Sequence, residues 1–235
     1  MTTSTGRLRA LVAMDGRVAH TMSAVFQYFI VSISFLGCFA PAAVFTITIG
    51  WQPTHLAIWA ASASLLPLLP ATFALLCSTR VLITDPVDAH AGRVFWVAFI
   101  RGCRSLVWAA AGLSAIVLVL NYDLALFHDS HAMLLFIAGA AAVLAVLVIA
   151  ICVVAAAETA NGAISTLSLA MRAVARRPHI ALSWLLLIGL GAGIASLPLI
   201  GAPVALFLPA LLGAAIHICN DALRLPVIDE MRTTP

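Results

Sequence analysis

The chain has 235 residues, 63% hydrophobic and 9% charged, with a mean hydropathy of +1.13 and a net charge of +3. A water-soluble domain carries about a quarter charged residues, and so much apolar surface exceeds what one soluble core of ordinary size buries, so lipid must be the solvent for most of the chain. Composition thus excludes a soluble globular protein, and a charge of +3 on residues that flank apolar runs is no signature of nucleic-acid binding.

The polar segment 1–20 precedes an apolar run longer than a signal-peptide core, so it is expected to remain as a cytoplasmic tail. Spanning helices need about 20 mostly apolar residues. They are expected at 22–49, 56–82, 105–120, 131–157, 179–197 and 203–218, within one transmembrane domain over 21–220, with a second cytoplasmic tail over 221–235. The fold class is therefore an all-α, polytopic membrane helix bundle. Pro41 in the first span and Pro67 and Pro70 in the second predict kinks. Pro203 and Pro209 interrupt the sixth span, leaving open a full crossing or a re-entrant one. In the fifth, Gly189-x-Gly191-x-Gly193 suits close helix contact, within the chain or in a homo-oligomer.

All twelve basic residues are arginines, and no charged residue lies between Val18 and Thr79. They cluster as Arg7/Arg9/Arg17, Arg80/Arg93/Arg101/Arg104, Arg172/Arg176/Arg177 and Arg224/Arg232. The clusters fall in the two tails and in the second-to-third and fourth-to-fifth connections. Arginines near span ends favour the cytoplasmic side, so six spans with both termini inside satisfy every one.

The two basic connections are patterned. In Arg93–Arg104, Phe95, Phe99 and Cys103 share one helical face, while Arg93, Arg101 and Arg104 fall on another. Further on, Ile164, Leu167, Met171 and Val174 form a stripe opposed by Ser165, Ser168, Arg172 and Arg176. Both read as interfacial amphipathic helices on the cytoplasmic surface, serving to anchor the chain or to dock a partner. Trp96 and Arg177 complete that candidate surface. The segments near 65–120 and 140–196 share the order span, basic helix, span, a faint parallel repeat.

Polar residues at membrane depth are the default functional candidates. Glu158 and Asn161 close the fourth span; His217, Asn220 and Asp221 close the sixth, with His217 and Asp221 four residues apart. Glu158 suits either an ion pair with a neighbouring arginine or a gating site. The segment Asn121–His131 is expected as an outer loop capping the next helix through Asp129 or Ser130. Its Asp123, His128, Asp129 and His131 fit no standard metal spacing. The five cysteines stand singly, which argues against a disulfide framework or a zinc site. No H-E-x-x-H, G-x-S-x-G or phosphate-binding glycine loop occurs, so neither an enzyme, a metal nor a cofactor is expected.

The run Pro67-Leu68-Leu69-Pro70-Ala71-Thr72-Phe73-Ala74-Leu75-Leu76, followed by Arg80 and by Arg93-Val94-Phe95-Trp96-Val97-Ala98-Phe99-Ile100-Arg101, resembles the YesL family of bacterial membrane proteins. In place of that family's acidic pair stands Asp85-Pro86-Val87-Asp88, and Gly102 stands near its usual Asn. Members commonly occur beside carbohydrate ABC importers. The resemblance thus implies an accessory or regulatory role beside ABC permease subunits in the bacterial cytoplasmic membrane. The alternative expectation is a small-solute transporter or channel acting alone as an oligomer, with a path lined by the kinked second span, Glu158 and His217.

Overall fold

The computed structural model describes residues 17–49, 54–84, 90–127, 130–157, 162–198 and 201–223. Every regular element among them is an α-helix, the open-chain form that satisfies its own backbone groups in lipid. Five stretches are long and apolar enough to cross a membrane: Thr21–Cys38, His55–Thr84, Val107–Phe127, His131–Ala156 and Pro178–Ala195.

Prolines decide where the expected spans break. The first is two helices, α1 (Arg17–Cys38) and α2 (Ala40–Thr48), parted at Phe39 with Pro41 in the first turn of α2. That position tolerates the missing N–H. The second is α3 (His55–Ser64) and α4 (Leu68–Thr84), with Pro67 in the intervening turn and Pro70 in the first turn of α4. At the start of α3, Thr54 Oγ1 accepts a hydrogen bond from the Ala57 N–H. Next come α5 (Ala91–Ser105), α6 (Val107–Phe127), α7 (His131–Ala156), α8 (Ala163–Arg176) and α9 (Pro178–Ala195). Helix α6 runs seven residues past the expected end of the third span, so Asn121–Phe127 is helix and not loop.

The sixth span is not one helix. It is divided into α10 (Gly201–Ala205) and α11 (Leu208–Ala222), with Pro209 in the first turn of α11. Pro209 offers no N–H to the preceding turn and its ring crowds the carbonyl four residues back. The 15 residues of α11 rise about 22 Å, short of a hydrocarbon core about 30 Å thick.

Helix α4 is the hub of the bundle. It packs against α1, α5, α7 and α11, and Leu69, Ala71, Phe73, Ala74, Leu75 and Leu76 are all buried. Its buried Ser78 and Thr79 hydroxyls donate to the carbonyls of Ala74 (2.6 Å) and Leu75 (2.8 Å), one turn back. A hydroxyl satisfied within its own helix sits in an apolar core at little cost.

Both amphipathic helices form, and both dock on the bundle. Helix α5 doubles back along α4 and also touches α1. A left-handed residue, His90 (φ 40°), turns the chain into it. Gln27 Oε1 of α1 then accepts from the Ala91 N–H at 3.0 Å, satisfying a first-turn donor. The docked face is Ala91, Phe95, Ala98 and Gly102. A Cβ on Gly102 would stand 3.0 Å from Phe73 Cδ1 and 3.2 Å from Pro70 Cα, so only glycine lets α5 approach α4 this closely. Helix α8 packs on α7 through Thr166, Ala170 and Ala173. It starts after Gly162, whose φ of 115° suits glycine.

Candidate functional site

The basic surface differs from the expected one by a rotation of each helix. In α5, Phe95 is fully buried, Phe99 half-buried and Cys103 exposed, so the face these three share is docked at Phe95 and open at Cys103. Trp96 is instead the exposed aromatic, 49% accessible. Its ring meets Phe95 edge-on at 5.6 Å and Phe99 edge-on at 5.7 Å. Arg93, Arg101 and Arg104 of the same helix are exposed as well. In α8, Ile164 and Met171 of the expected stripe are exposed and only Leu167 and Val174 pack against the core. Small residues make up most of the docked face in both helices, because they permit backbone approach, with Phe95 the large apolar residue among them on α5. Ile164, Met171 and Trp96 face outward.

Arg172 and Arg176 are exposed on α8. Arg177 is not part of that surface. It lies half-buried at the α8–α9 junction, and its guanidinium donates to the Leu223 carbonyl just past α11. It thereby holds the end of α11, where last-turn carbonyls lack helical partners.

Among the intramembrane polar candidates, Glu158 and Asn161 lie outside the described residues. His217 and Asp221 differ in surroundings. The His217 ring N–H (Nε2) donates to the Leu76 carbonyl of α4 at 2.8 Å, whereas Asp221 is exposed. The buried polar residue of this helix is Asn220, whose Oδ1 accepts from Trp184 Nε1 at 3.0 Å, tying α11 to α9. His217 and Asn220 therefore fix α11 in place on two sides.

Two further polar links gave no clear signal in the sequence. Ser32 of α1 is fully buried. Its hydroxyl donates to the Phe207 carbonyl (3.2 Å) and accepts from the Ala210 N–H (3.1 Å), closing the break between α10 and α11. Helices α3 and α6 share a ladder of polar contacts. Ser114 Oγ donates to the Ser62 carbonyl (2.9 Å), Asn121 Nδ2 approaches Ser62 Oγ at 3.4 Å, and His55 Nδ1 meets the Tyr122 hydroxyl at 2.9 Å. Asn121 and Tyr122 belong to the segment expected as a loop. Ser130 begins α7 but its side chain makes no capping hydrogen bond. Of the residues weighed for a metal, His128 and Asp129 lie outside the described residues. Among the described ones no group of three His, Cys, Asp or Glu comes together.

Between the helices lies a half-open cavity of about 730 Å³, bounded by parts of α1, α4, α6, α7, α9, α10 and α11. Leucines, isoleucines, valines and alanines dominate its wall, and its polar side chains are Thr72 and Asn121. The Thr72 hydroxyl donates to the Leu68 carbonyl at 2.8 Å. Among the described residues, no buried side-chain nitrogen or oxygen lacks a hydrogen-bond partner. The interior can accept an apolar guest, but it offers no ready set of polar groups to grip a hydrophilic one.

Gly191 of α9 backs onto α11, where an added Cβ would meet Leu212 at 3.1 Å and Leu208 at 3.4 Å. Gly189 and Gly193 have open space around them, so one glycine of the three serves packing within the chain. Compared with protein-family models, curated proteins and solved structures, the chain matches none.

Proposed function

We propose that this integral membrane protein is a non-enzymatic auxiliary subunit of a bacterial cytoplasmic-membrane importer of the carbohydrate ABC class, docked through the outward side of α5. The observation that carries the reading is Trp96. It is a large aromatic in edge-on contact with Phe95 and Phe99, half-exposed, on a helix whose Arg93, Arg101 and Arg104 are also exposed. Tryptophan and arginine are the residues most enriched where proteins bind one another. The resemblance of the Pro67–Leu76 and Arg93–Arg101 segments to the YesL family supports the class of partner. A stand-alone path for a hydrophilic solute is the weaker reading, since the cavity is apolar and His217 is committed to a helix–helix hydrogen bond.

Affinity purification from native membranes in mild detergent tests this role. ABC permease subunits are expected to co-purify with the unaltered chain, and Trp96→Ala together with Arg104→Glu is expected to abolish their recovery without lowering the amount of folded protein. Recovery of no permease subunit with the unaltered chain would overturn the proposal.

The same reading places α5 and both termini on the cytoplasmic side. Cys103 is suited to test it, because it is the exposed cysteine of the five. A membrane-impermeant maleimide is expected to label it in inside-out vesicles and not in right-side-out ones. Partial desolvation pushes the Cys103 thiol above its ordinary range. The reactive thiolate is therefore scarcer at neutral pH, and the labelling rate should go on rising at pH values where an ordinary surface cysteine has levelled off.

A further inference from the structure

The cavity has a shape and a lining that select its guest. Along α7 its wall runs from Ile137 to Ile149, about 18 Å at 1.5 Å per residue. That is close to one leaflet, half of a hydrocarbon core about 30 Å thick. The volume, about 730 Å³, falls within the range of small-molecule sites. A half-open apolar cavity of this size offers ordered water few polar partners, and unfilled it would forfeit dispersion contacts along its lining. In a bilayer the abundant apolar molecule of leaflet length is a lipid chain.

Of the two polar side chains on its wall, Thr72 keeps its hydroxyl on the Leu68 carbonyl of its own helix, and Asn121 stands toward one end. Asn121 lines the cavity near the α6–α7 end of the bundle, where Ser62, Ser114, His55 and Tyr122 form the ladder of contacts between α3 and α6. The opposite end, at Leu76, Ile149 and Ile216, is wholly apolar. We propose that the cavity holds one acyl chain of a membrane glycerophospholipid, its ester region at Asn121 and its methyl end near Ile149 and Ile216. This site is independent of the partner role proposed for α5.

The test uses the full chain in vesicles of phosphatidylethanolamine and phosphatidylglycerol doped with phosphatidylethanolamine carrying a diazirine on one acyl chain. After irradiation, adducts are mapped by peptide mass spectrometry. A diazirine near the chain terminus should mark Ile149 and Ile216, and one near the ester should mark Asn121 and Leu124, both above the background at the outward-facing Leu135 and Leu186. Ala141→Phe with Ala145→Phe, which fills the chamber, should remove the cavity adducts and leave those at Leu135 and Leu186. Because the depth dependence is read on the unaltered chain, the proposal stays testable if that variant does not fold. Adducts confined to the outward faces, or cavity adducts that ignore the diazirine's depth, would overturn it. Oxidative disulfide dimers through Ala141→Cys would overturn it as well, by assigning the cavity to a second copy of the chain.

Discussion

Replacing Trp184 by alanine is expected to destabilise the folded protein by about 3–5 kcal/mol, the usual range for emptying a buried aromatic site. Trp184 is 2% exposed and among the largest fully buried side chains of the bundle. Its loss opens a void between α9 and α11 and takes away the donor that satisfies Asn220 Oδ1. Thermal unfolding in detergent micelles checks this, with a fall in Tm on the order of 10 °C at about 2–4 °C per kcal/mol for a chain of this size. The hydrogen bond supplies the smaller share. Interhelical hydrogen bonds in membranes average about 0.6 kcal/mol, so Asn220→Leu should lower Tm much less than Trp184→Ala. A larger effect from Asn220→Leu would show that polarity and not packing seats α11.

Gly213→Leu should also weaken the fold, by overpacking. A Cβ at Gly213 would stand 2.9 Å from both Cγ2 and Oγ1 of Thr79 and 3.4 Å from Leu75 Cγ. Thr79 is fully buried, β-branched and tied by its hydroxyl to the Leu75 carbonyl, so it cannot swing aside. Separating α11 from α4 to admit a leucine should cost about 1–3 kcal/mol and break the His217–Leu76 hydrogen bond. Leu211→Phe, at an outward position two residues away that is 51% exposed, serves as the control and should change Tm within measurement error. Equal losses at the two positions would mean that α11 is not seated on α4 as described.

The length of each apolar run located the helices well, because run length is a property of the chain alone. The expected bounds 131–157 and 179–197 stand beside α7 at His131–Ala156 and α9 at Pro178–Ala195. The prolines likewise marked the breaks at Phe39, at 65–67 and before Leu208. The end of α6 was missed because Asn121, Tyr122 and Asp123 look like loop residues. Their polarity in fact marks a helix end at which Asn121 and Tyr122 pair with Ser62 and His55 of α3.

The faces of the amphipathic helices were harder to read, for one physical reason. In water, apolar periodicity separates core from solvent, but in a membrane both the core and the surroundings are apolar. Phe95 and Trp96 are adjacent and both hydrophobic, yet the first is fully buried and the second half-exposed. Small residues are the better marker of a docked face, with Phe95 the large residue that joins them on α5. Ala91, Ala98 and Gly102 mark the docked side of α5, and Thr166, Ala170 and Ala173 that of α8.

By itself the sequence determined the solvent and the repertoire of elements. With 9% charged residues and long apolar runs that lack the alternation of a barrel strand, this chain spans lipid as helices. Tertiary structure alone decided which polar residues meet. Ser32 reaches Phe207 and Ala210, Gln27 reaches Ala91, and His217 reaches Leu76. Each contact joins residues at least 64 positions apart. It also decided that the helices border a half-open apolar cavity, since a void belongs to the packing of several helices and is written in none of them singly.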